Sequence, residues 1–489
     1  MAAGHPLTAE AGARALREGG NAVDAAVAAM LTSWAAEPLL TGPGAGGYML
    51  VAGAGQEPVL LDFFVAAPGC GAGTGAPVER APLVPVAVSF GDTVQTFHVG
   101  AASCGAYGTP AGIEQATDRW GSMPLADLAA PAVALARKGV RLNAQQAYVA
   151  EILGGILLST PEAAALFAPE QRLLREGELL RSPDLADTIA RLGAEGADPF
   201  YTGDLADAVI EWVDQRGGRL TADDLAGYEA VARRPVTVAY RGREILTNPP
   251  PSAGGLLLAL ALGRLAAGPA PPTVEAVVEA MDEAQSQRTA AFVEGLHDAG
   301  FADSFLASRL GSTTHISVVD GSGRACSVTC SNGEGSGVVV PGTGIHLNNV
   351  MGEEDLSPLG FHRVPAGRRM PSMMAPTIVT RTGDVELALG SAGSNRIRSA
   401  ILQTIVGVID HGLDAATAVG APRLHSEAGL VYVEPGVDVS GLSATGRRVL
   451  QFREENLFFG GVQAVRRDPA TGALDGAGDR RRGGTAVDA

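Results

Sequence analysis

Two adjacent threonines, Thr313 and Thr314, open the segment Thr313-Thr-His-Ile-Ser-Val-Val-Asp320 and carry hydroxyl groups that could act as nucleophiles. A threonine hydroxyl is weakly nucleophilic unless a base takes its proton. The α-amino group of an N-terminal threonine can be that base, because its pKa of about 7.7–8.0 lies near working pH. Thr313 lies inside the chain, so this solution requires cleavage of the bond between Ser312 and Thr313.

The same hydroxyl could make that cut. Attack of Thr313 Oγ1 on the Ser312 carbonyl moves the acyl group from nitrogen to oxygen, and water then hydrolyses the ester. Gly311 provides the backbone freedom that such a strained turn needs. The alternative is that Thr313 and Thr314 are ordinary residues at the start of a strand, and these residues taken alone favour that alternative.

A second candidate is the glycine-rich segment Leu389-Gly-Ser-Ala-Gly-Ser-Asn-Arg-Ile397, which follows a predicted strand and precedes a predicted helix. Backbone N–H groups at such a turn, with the positive end of the helix dipole behind them, suit a developing oxyanion. A tight strand-to-helix turn without chemistry is the alternative reading of this segment.

The elements around these segments indicate a layered protein. Asn21 can cap a nearly apolar helix whose third residue is Asp24, and helices are predicted to dominate from there to Leu310. After Thr313 the pattern favours strands, at 314–320, 324–330, 336–340, 385–389, 430–434 and 462–466, with helices at 397–411 and 413–420. Strands also lie near the start of the chain, at 48–52, 59–64, 85–90 and 94–99. Strands from distant parts of one chain must share sheets covered by helices, which predicts a layered α/β sandwich without fixing the number of layers.

A glycine-rich loop, Thr41–Gly47, contains the G-x-G-x-x-G spacing at Gly42, Gly44 and Gly47. A dinucleotide site needs a strand before this loop and a helix after it. Here the helix comes first and the strand follows, so nucleotide binding is not predicted.

The composition of the chain excludes several classes of binding partner. The chain has 489 residues, is 46% hydrophobic and carries a net charge of −17, which repels phosphate backbones and anionic membranes. The apolar run 25–39 is too short and too polar to span a bilayer, and no signal peptide is apparent at the start, so a cytoplasmic location is expected. The histidines form neither an HxH nor an HExxH pattern, so no metal site is expected. Acyl transfer by a threonine nucleophile needs no cofactor, so none is expected.

Several segments, taken together, resemble the γ-glutamyltransferase (γ-glutamyltranspeptidase) family of N-terminal-nucleophile hydrolases. They occur in the family's order and cover nearly the whole chain, and the Thr-Thr-His-x-Ser-Val-Val-Asp block is specific to that family. The segments are Gly19-Gly-Asn-Ala-Val-Asp-Ala-Ala-Val27, Gly108-Thr-Pro110, Pro249-Pro-Pro-Ser252, Thr313–Asp320, Leu347-Asn-Asn349, Ala375-Pro-Thr377, Gly390-Ser-Ala-Gly-Ser-Asn-Arg396 and Ala421-Pro-Arg-Leu-His425.

The resemblance assigns catalytic roles. It makes Thr313 the processing residue and the nucleophile. It implies a supporting hydroxyl eighteen positions further on, which is Ser331 by ungapped counting or Thr329 if this chain has a deletion there. The family's paired oxyanion-hole glycines match Gly393 and Ser394, and because the donor is a backbone N–H, a serine can keep that function.

The segments that bind the glutamyl group in the family differ here. Phe64 replaces the arginine that holds the α-carboxylate and cannot form a bidentate ion pair. The residue after Asn349 is Val350 rather than Gln or Glu, whereas Glu353 matches the acid that holds the α-amino group. The family's adjacent serines correspond to Ser372 and Met373, so one of them is lost.

Two or three hydrogen bonds to charged groups, each worth about 1.5–3 kcal/mol, would therefore be missing. We expect an unusually apolar pocket and weak or absent activity on glutathione. Arg368, Arg369 and Arg396 are candidates for a substitute clamp.

The resemblance thus implies an α+β fold, a four-layer αββα sandwich, shared by a large subunit 1–312 and a small subunit 313–489 after self-cleavage. The expected heterodimer transfers the acyl group of a γ-glutamyl-type or related small amide to water or an amine. Two alternatives stay open: an acylase acting on a non-glutamyl amide, similar to the cephalosporin acylases, and a structural homologue without turnover.

Overall fold

Seven antiparallel strands, drawn from the start, the middle and the end of the chain, form one sheet. The computed structural model describes residues 1–71, 81–89, 94–287, 296, 314–357, 360–427, 429–444 and 446–489. Thr314–Val319 and Ala325–Ser331 are neighbours near the centre of this sheet. In order across it, the strands are Thr485–Ala486, Ala2–Ala3, Thr314–Val319, Ala325–Ser331, Gly46–Gly53, Gln56–Phe63 and Val231–Arg233.

A second sheet has six antiparallel strands and packs against the first. The strand Thr314–Val319 contacts both Asp384–Ala392 and Gly461–Arg467 of this second sheet. In order across it, the strands are Leu474–Gly478, Gly461–Arg467, Asp384–Ala392, Thr377–Arg381, Arg243–Thr247 and Val236–Tyr240.

Alternate residues of the central strand face different neighbours, as the two-residue period of a strand requires. Ile316 and Val318 belong to a hydrophobic cluster that includes the helix Ala22–Ala36, whereas Val319 belongs to a cluster built largely from the second sheet. All residues of that helix are buried, and Asn21 caps it together with the side chain of Asp24, as predicted. The first sheet therefore has a helix on one face and the second sheet on the other.

Helices also pack on the second sheet, where Arg396–Ile409 contacts Asp384–Ala392 and Gly461–Arg467. Among the described residues, the helices are Pro6–Arg17, Ala22–Ala36, Thr109–Trp120, Leu125–Lys138, Ala144–Ile152, Gly154–Leu157, Pro161–Phe167, Pro183–Glu195, Asp204–Asp214, Ala222–Ala226, Gly254–Ala266, Val274–Ser286, Arg396–Ile409, Ala415–Gly420 and Ser440–Ala444. The smaller sheets contain Val84–Ser89 with Val94–Val99, Val140–Arg141 with Leu179–Leu180, Val339–Val340 with Ile345–His346, and Leu424–Glu427, Leu430–Val433 and Arg448–Gln451.

The predicted strands at 314–320, 324–330 and 462–466 are confirmed to within one residue. The helix Pro6–Arg17 and the strand pair Val236–Tyr240 and Arg243–Thr247 were not predicted. The strand pair lies in a part of the chain that was predicted to be mainly helical. Most of the predicted helical stretch 288–310 lies outside the described residues. Within the described parts of the chain, no helix combines the length and apolar character needed to cross a bilayer.

Candidate active site

The hairpin that carries the threonine motif is fixed by Asp320 at its turn. The Asp320 carboxylate accepts hydrogen bonds from the backbone N–H groups of Ser322 and Arg324 at 2.9 and 3.1 Å. It also accepts one from the N–H of Ala22 at 3.0 Å, at the start of the buried helix. The last residue of the motif thus ties the hairpin to that helix. Thr313 itself lies outside the described residues, and the described strand begins at Thr314.

A buried polar layer lies between the two sheets behind this strand. The Nδ1 of His315 lies 2.8 Å from Thr329 Oγ1, and its Nε2 lies 2.9 Å from Ser317 Oγ. Burial lowers the pKa of His315 to about 3, so the imidazole stays neutral at working pH. A side chain on Gly390 would meet this ring at 2.3 Å, which explains the glycine at that position of the second sheet. Thr329, one of the two candidates for the supporting hydroxyl, is bound in this layer.

Ser331, the other candidate, ends the neighbouring strand and lines a cavity. Its Oγ accepts a hydrogen bond from the N–H of Gly333 at 2.7 Å. The cavity has a volume of about 570 Å³ when the open solvent at its mouth is included, and Gly393 and Ser394 form part of the same wall. Ser331 therefore meets Gly393 and Ser394, which lie more than sixty positions later in the chain, at one cavity.

The turn at Gly393 and Ser394 connects the strand Asp384–Ala392 to the helix Arg396–Ile409, as predicted. Gly393 has a φ of +115° and Ser394 a φ of +52°. A Cβ on Gly393 would lie 2.7 Å from Gly460 Cα, so only glycine fits there. This geometry places the positive end of a helix dipole at the cavity.

A buried carboxyl group lies on the other side of the threonine motif. Glu37, at the end of the helix Ala22–Ala36, accepts hydrogen bonds from the hydroxyl of Thr8 at 2.7 Å and from that of Thr314 at 3.3 Å. Burial raises the pKa of Glu37 to about 7, although these hydroxyls and the nearby Arg482 favour the charged form. A group that can exchange a proton near neutral pH thus contacts the residue next to Thr313 in the sequence.

Of the three arginines proposed as a substitute clamp, one lines the cavity. Arg396 does so, and its Nε donates to the backbone carbonyl of Phe458 at 3.0 Å. Arg369 instead forms an ion pair with Asp62, with its Nε 3.2 Å from the carboxylate. Arg368 is exposed to solvent.

A second cation, Arg482, also lines the cavity. Burial, reinforced by repulsion from Arg396, lowers the pKa of Arg482 to about 10. Arg482 comes from the end of the chain and Arg396 from the helix after the turn. Two cations therefore lie beside Gly393 and Ser394, with Glu334 on the same wall, and the remaining positive charge favours a developing negative charge at the turn.

The residues that replace the glutamyl-binding groups pack into the hydrophobic core. Phe64, Val350 and Met373 belong to one cluster and are at most 1% exposed. None of the three lines the cavity with Ser331. Phe64 stacks on Tyr48 with ring centroids 5.5 Å apart. Ser372 is buried in the same region, where its Oγ accepts from the N–H of Met374 at 3.1 Å.

Asn349 and Glu353 support the loop that follows Ser331. The Oδ1 of Asn349 accepts a hydrogen bond from the N–H of Glu334 at 3.0 Å. A Cβ on Gly333 would lie 2.1 Å from that Oδ1 and 2.4 Å from Glu353 Oε1, so both side chains pack closely against this loop. Glu353 also lines a larger open cleft beside the cavity.

Sequence reasoning missed Glu37, Arg482 and His315 as members of the site. A charged residue closing an otherwise apolar helix was the available signal for Glu37. His315 lies inside the threonine motif, but only the packing of the sheets brings it to Thr329. Nothing in the local sequence around Arg482 distinguishes it from its neighbours Arg480 and Arg481.

The chain matches known proteins along its whole length. The family profile described as gamma-glutamyltranspeptidase matches residues 8–303 and 300–489. The glutathione hydrolase proenzyme of Bacillus subtilis (strain 168) is 29% identical, over 100% of this chain and 91% of that protein. The acylase ACY 1 proenzyme of Pseudomonas sp. (strain SE83) is 32% identical, over 99% and 92%.

Among solved structures, the cephalosporin acylase from Bacillus halodurans superposes with a TM-score of 0.83 at 27% identity, covering 100% of this chain and 95% of that one. The helices and sheets described above are thus arranged as in that cephalosporin acylase structure. Since the profile covers nearly all of the sequence and relatives of both activities align over their full length, the chain belongs to the gamma-glutamyltranspeptidase family of N-terminal-nucleophile hydrolases.

Proposed function

We propose that this protein cleaves itself between Ser312 and Thr313 and then uses Thr313 to transfer the acyl group of a small amide to water or an amine. The observation that carries this proposal is the meeting of Ser331, Gly393 and Ser394 at one cavity, next to the strand that begins at Thr314. The three residues supply a hydroxyl and two backbone N–H groups, which suit a nucleophile and an oxyanion.

The strand register supports Ser331, rather than Thr329, as the partner of Thr313. Thr314 is opposite Cys330, and His315 is opposite Thr329. We propose that this antiparallel register continues by one residue, which would pair Thr313 with Ser331. Residues opposite each other in a sheet have Cβ atoms about 4.5–5.5 Å apart on the same face, which is within reach of a hydroxyl–hydroxyl contact.

The proposed reaction has two steps, formation of an ester on Thr313 and cleavage of that ester. Thr313 Oγ1 attacks the amide carbonyl, its proton passes to the free α-amine, and the N–H groups of Gly393 and Ser394 stabilise the oxyanion. The proton then goes to the leaving nitrogen as the C–N bond breaks, which leaves an ester on Thr313. Water or an amine attacks this ester by the same route and restores the threonine.

The mature protein would be a heterodimer of residues 1–312 and 313–489 within a four-layer αββα sandwich. The sheet order supports this, because Ala2–Ala3 lies between Thr314–Val319 and Thr485–Ala486. Strands from both sides of the cut would therefore remain hydrogen-bonded after cleavage.

Recognition of a glutamyl head is proposed to be altered, with weak or absent activity on glutathione. Phe64, Val350 and Met373 fill buried space with apolar side chains where charged and polar groups would be needed. This observation favours a second candidate within the family, an acylase acting on a non-glutamyl amide. Arg396 and Arg482 would then orient the substrate from the opposite wall.

Intact-mass spectrometry tests the proposal. The purified protein should contain two chains, the second beginning at Thr313, and the Thr313→Ala variant should remain one chain without turnover. Thr314→Ala, a change at the neighbouring residue, is the matched control and should still be cleaved. A wild-type protein that stays in one chain, or a Thr313→Ala variant that is still cut at this bond, would refute it. Comparing glutathione with a panel of other amides then separates the two candidate activities.

A further inference from the structure

An open cleft adjoins the cavity that Ser331 lines. Gln95, Phe97 and Arg396 line both spaces, so the cleft and the cavity are continuous. The cleft has a volume of about 1120 Å³ when the open solvent at its mouth is included. A substrate whose carbonyl group lies at the turn after the strand Asp384–Ala392 can therefore extend into this cleft.

The charges on the wall of the open cleft are mainly negative. Glu353, Glu354 and Glu427 line it, whereas Arg396 is the one arginine or lysine among the described residues that do so. The guanidinium of Arg396 is held against the wall, because its central carbon lies 4.5 Å from the ring centroid of Phe458 and its Nε donates to the carbonyl of that residue. The balance of charge favours a cation over an anion.

Asn395 adds a hydrogen-bond acceptor to this wall. It directly follows Gly393 and Ser394, lines the cleft and is 3% exposed. Its Nδ2 donates to the carboxylate of Glu427, and this fixes the orientation of the amide, because the reverse orientation would put two acceptors against each other. Its Oδ1 is buried and has no hydrogen-bond partner among the described residues. An N–H donor on a ligand would recover the free energy that this unpaired oxygen costs.

Aromatic rings form a further part of the wall. Tyr432 and Phe458 line the open cleft, with ring centroids 5.0 Å apart. An ammonium group is attracted to the faces of such rings. The carboxylates, the unpaired amide oxygen and the rings therefore favour the same ligand group, a positively charged N–H donor.

A carboxylate on the same ligand would find little to bind it. Phe64 and Met373 pack into the hydrophobic core, and Arg369 forms an ion pair with Asp62. Arg396 lies in the open cleft, but the charge of Glu427 is close enough to interact with it. The wall thus distinguishes an ammonium group from a carboxylate.

The position of Asn395 limits the length of the ligand. Two Cα–Cα steps separate it from Gly393, so these two Cα atoms lie at most about 7.6 Å apart. The amide oxygen of Asn395 is therefore only a few bonds from the turn that would hold the oxyanion. A short chain suffices to link the carbonyl carbon of a substrate to an ammonium group at this wall.

We infer that the open cleft holds an ammonium group at the end of the acyl chain, and that the substrate class is an amide of a short ω-amino acid, whose acyl group carries an ammonium but no carboxylate. The inference rests on the proposed function and names its substrate. Glu353 corresponds to an acyl-side position and lines this cleft, so the cleft is assigned to the acyl group and not to the leaving amine.

Four 4-nitroanilides that differ only at the end of the acyl chain test the inference on the self-cleaved protein. The 4-aminobutyryl probe carries the ammonium alone, the glutaryl probe a carboxylate alone, the γ-glutamyl probe both groups and the butyryl probe neither. Release of nitroaniline in the presence of Thr313→Ala is subtracted as the uncatalysed background.

The wild type should have a kcat/KM for the 4-aminobutyryl probe about a hundredfold above that for the butyryl probe, and above those for the other two. Equal activity on the 4-aminobutyryl and butyryl probes would overturn the inference. So would a γ-glutamyl or glutaryl probe that is as good a substrate as the 4-aminobutyryl probe, because the site would then accept a carboxylate.

Two substitutions locate the ammonium group. Glu427→Gln keeps an acceptor for the Asn395 side chain but removes the charge, and Asn395→Leu removes the unpaired oxygen. Each should lower the ratio of kcat/KM for the 4-aminobutyryl and butyryl probes by about tenfold or more. A purely structural effect would lower both values and leave the ratio unchanged, which would refute this placement. Asp438→Asn removes an exposed carboxylate outside the cleft, is the matched control and should leave the ratio unchanged.

Binding of the product acids gives a readout that does not depend on turnover. In calorimetric titrations, 4-aminobutyrate should bind the wild type at least about tenfold more tightly than butyrate, and Glu427→Gln should remove most of this difference. Equal binding of the two acids, or no binding of 4-aminobutyrate, overturns the inference. A Thr313→Ala variant that is still cut refutes the proposed function instead, so the two failures are distinguishable.

Discussion

Replacing Glu37 with Gln tests whether a buried, proton-exchanging carboxyl group lies beside the threonine motif. Glutamine has nearly the same shape as glutamic acid and can keep the hydrogen bonds to Thr8 and Thr314. It cannot ionise. The variant therefore removes the titration of this site with little change in packing.

The expected change in the free energy of unfolding follows from the pKa of the Glu37 carboxyl group. A value of about 7 in the folded protein, against an ordinary value of 4.5, means that folding disfavours the carboxylate. The unfolded chain releases its proton at lower pH, so the parent loses stability as the pH rises from 4.5 through 7. Each pH unit between these values contributes about 1.4 kcal/mol, or about 3 kcal/mol in total. Glu37→Gln should match the parent below pH 4.5 and exceed its stability by about 3 kcal/mol above pH 7.

The assay is urea unfolding between pH 4.5 and 8 in the Thr313→Ala background, where the chain is expected to remain uncut. Infrared titration of the protonated carboxyl band should show a midpoint near pH 7 that Glu37→Gln removes. Glu57→Gln changes an exposed glutamate and is the control. If the free-energy difference between Glu37→Gln and its parent is constant across this pH range, the buried carboxyl group does not titrate as argued.

Three further substitutions test the site. Ser331→Ala should lower kcat by about tenfold to hundredfold, because it removes the hydroxyl that we propose supports Thr313. An unchanged kcat in steady-state kinetics would contradict this role. Gly393→Ala should reduce turnover by about a hundredfold or more and also lower the midpoint of unfolding, because its Cβ would lie 2.7 Å from Gly460 Cα. Phe64→Arg should destabilise the protein by more than about 3 kcal/mol, since it buries a charge in the core, and it should not create glutathione hydrolysis. A stable variant with new activity on glutathione would show instead that Phe64 lies in a substrate pocket.

Some of the fold could be predicted because its cause is local. The helix Ala22–Ala36 begins at a capping box that Asn21 and Asp24 form within one turn. The hairpin at 314–331 follows from β-branched residues on either side of a turn that Asp320 stabilises through its own neighbours. The helix Pro6–Arg17 was not predicted, although a proline in its first turn and buried residues along one face are local signals of a helix.

The candidate site, like the fold, could be predicted from the sequence only in part. The sequence indicated Ser331, Gly393 and Ser394 through motifs, and the structure places all three at one cavity. It also indicated Phe64 and Met373 as substrate-binding positions, whereas the structure places their side chains in the hydrophobic core. An aligned position does not reveal which way a different side chain turns, because that depends on the volume left by its neighbours.

By itself, the sequence determined the family, the position of the threonine motif and the presence of Phe64, Val350 and Met373 where the family has polar or charged residues, because each depends on residue types in a fixed local order. Only the tertiary structure decided that Glu37 and Thr314 touch, that His315 bonds to Thr329, and that Arg396 and Arg482 share a cavity. These pairs come from separate elements, and the packing of two sheets and their helices brings them together.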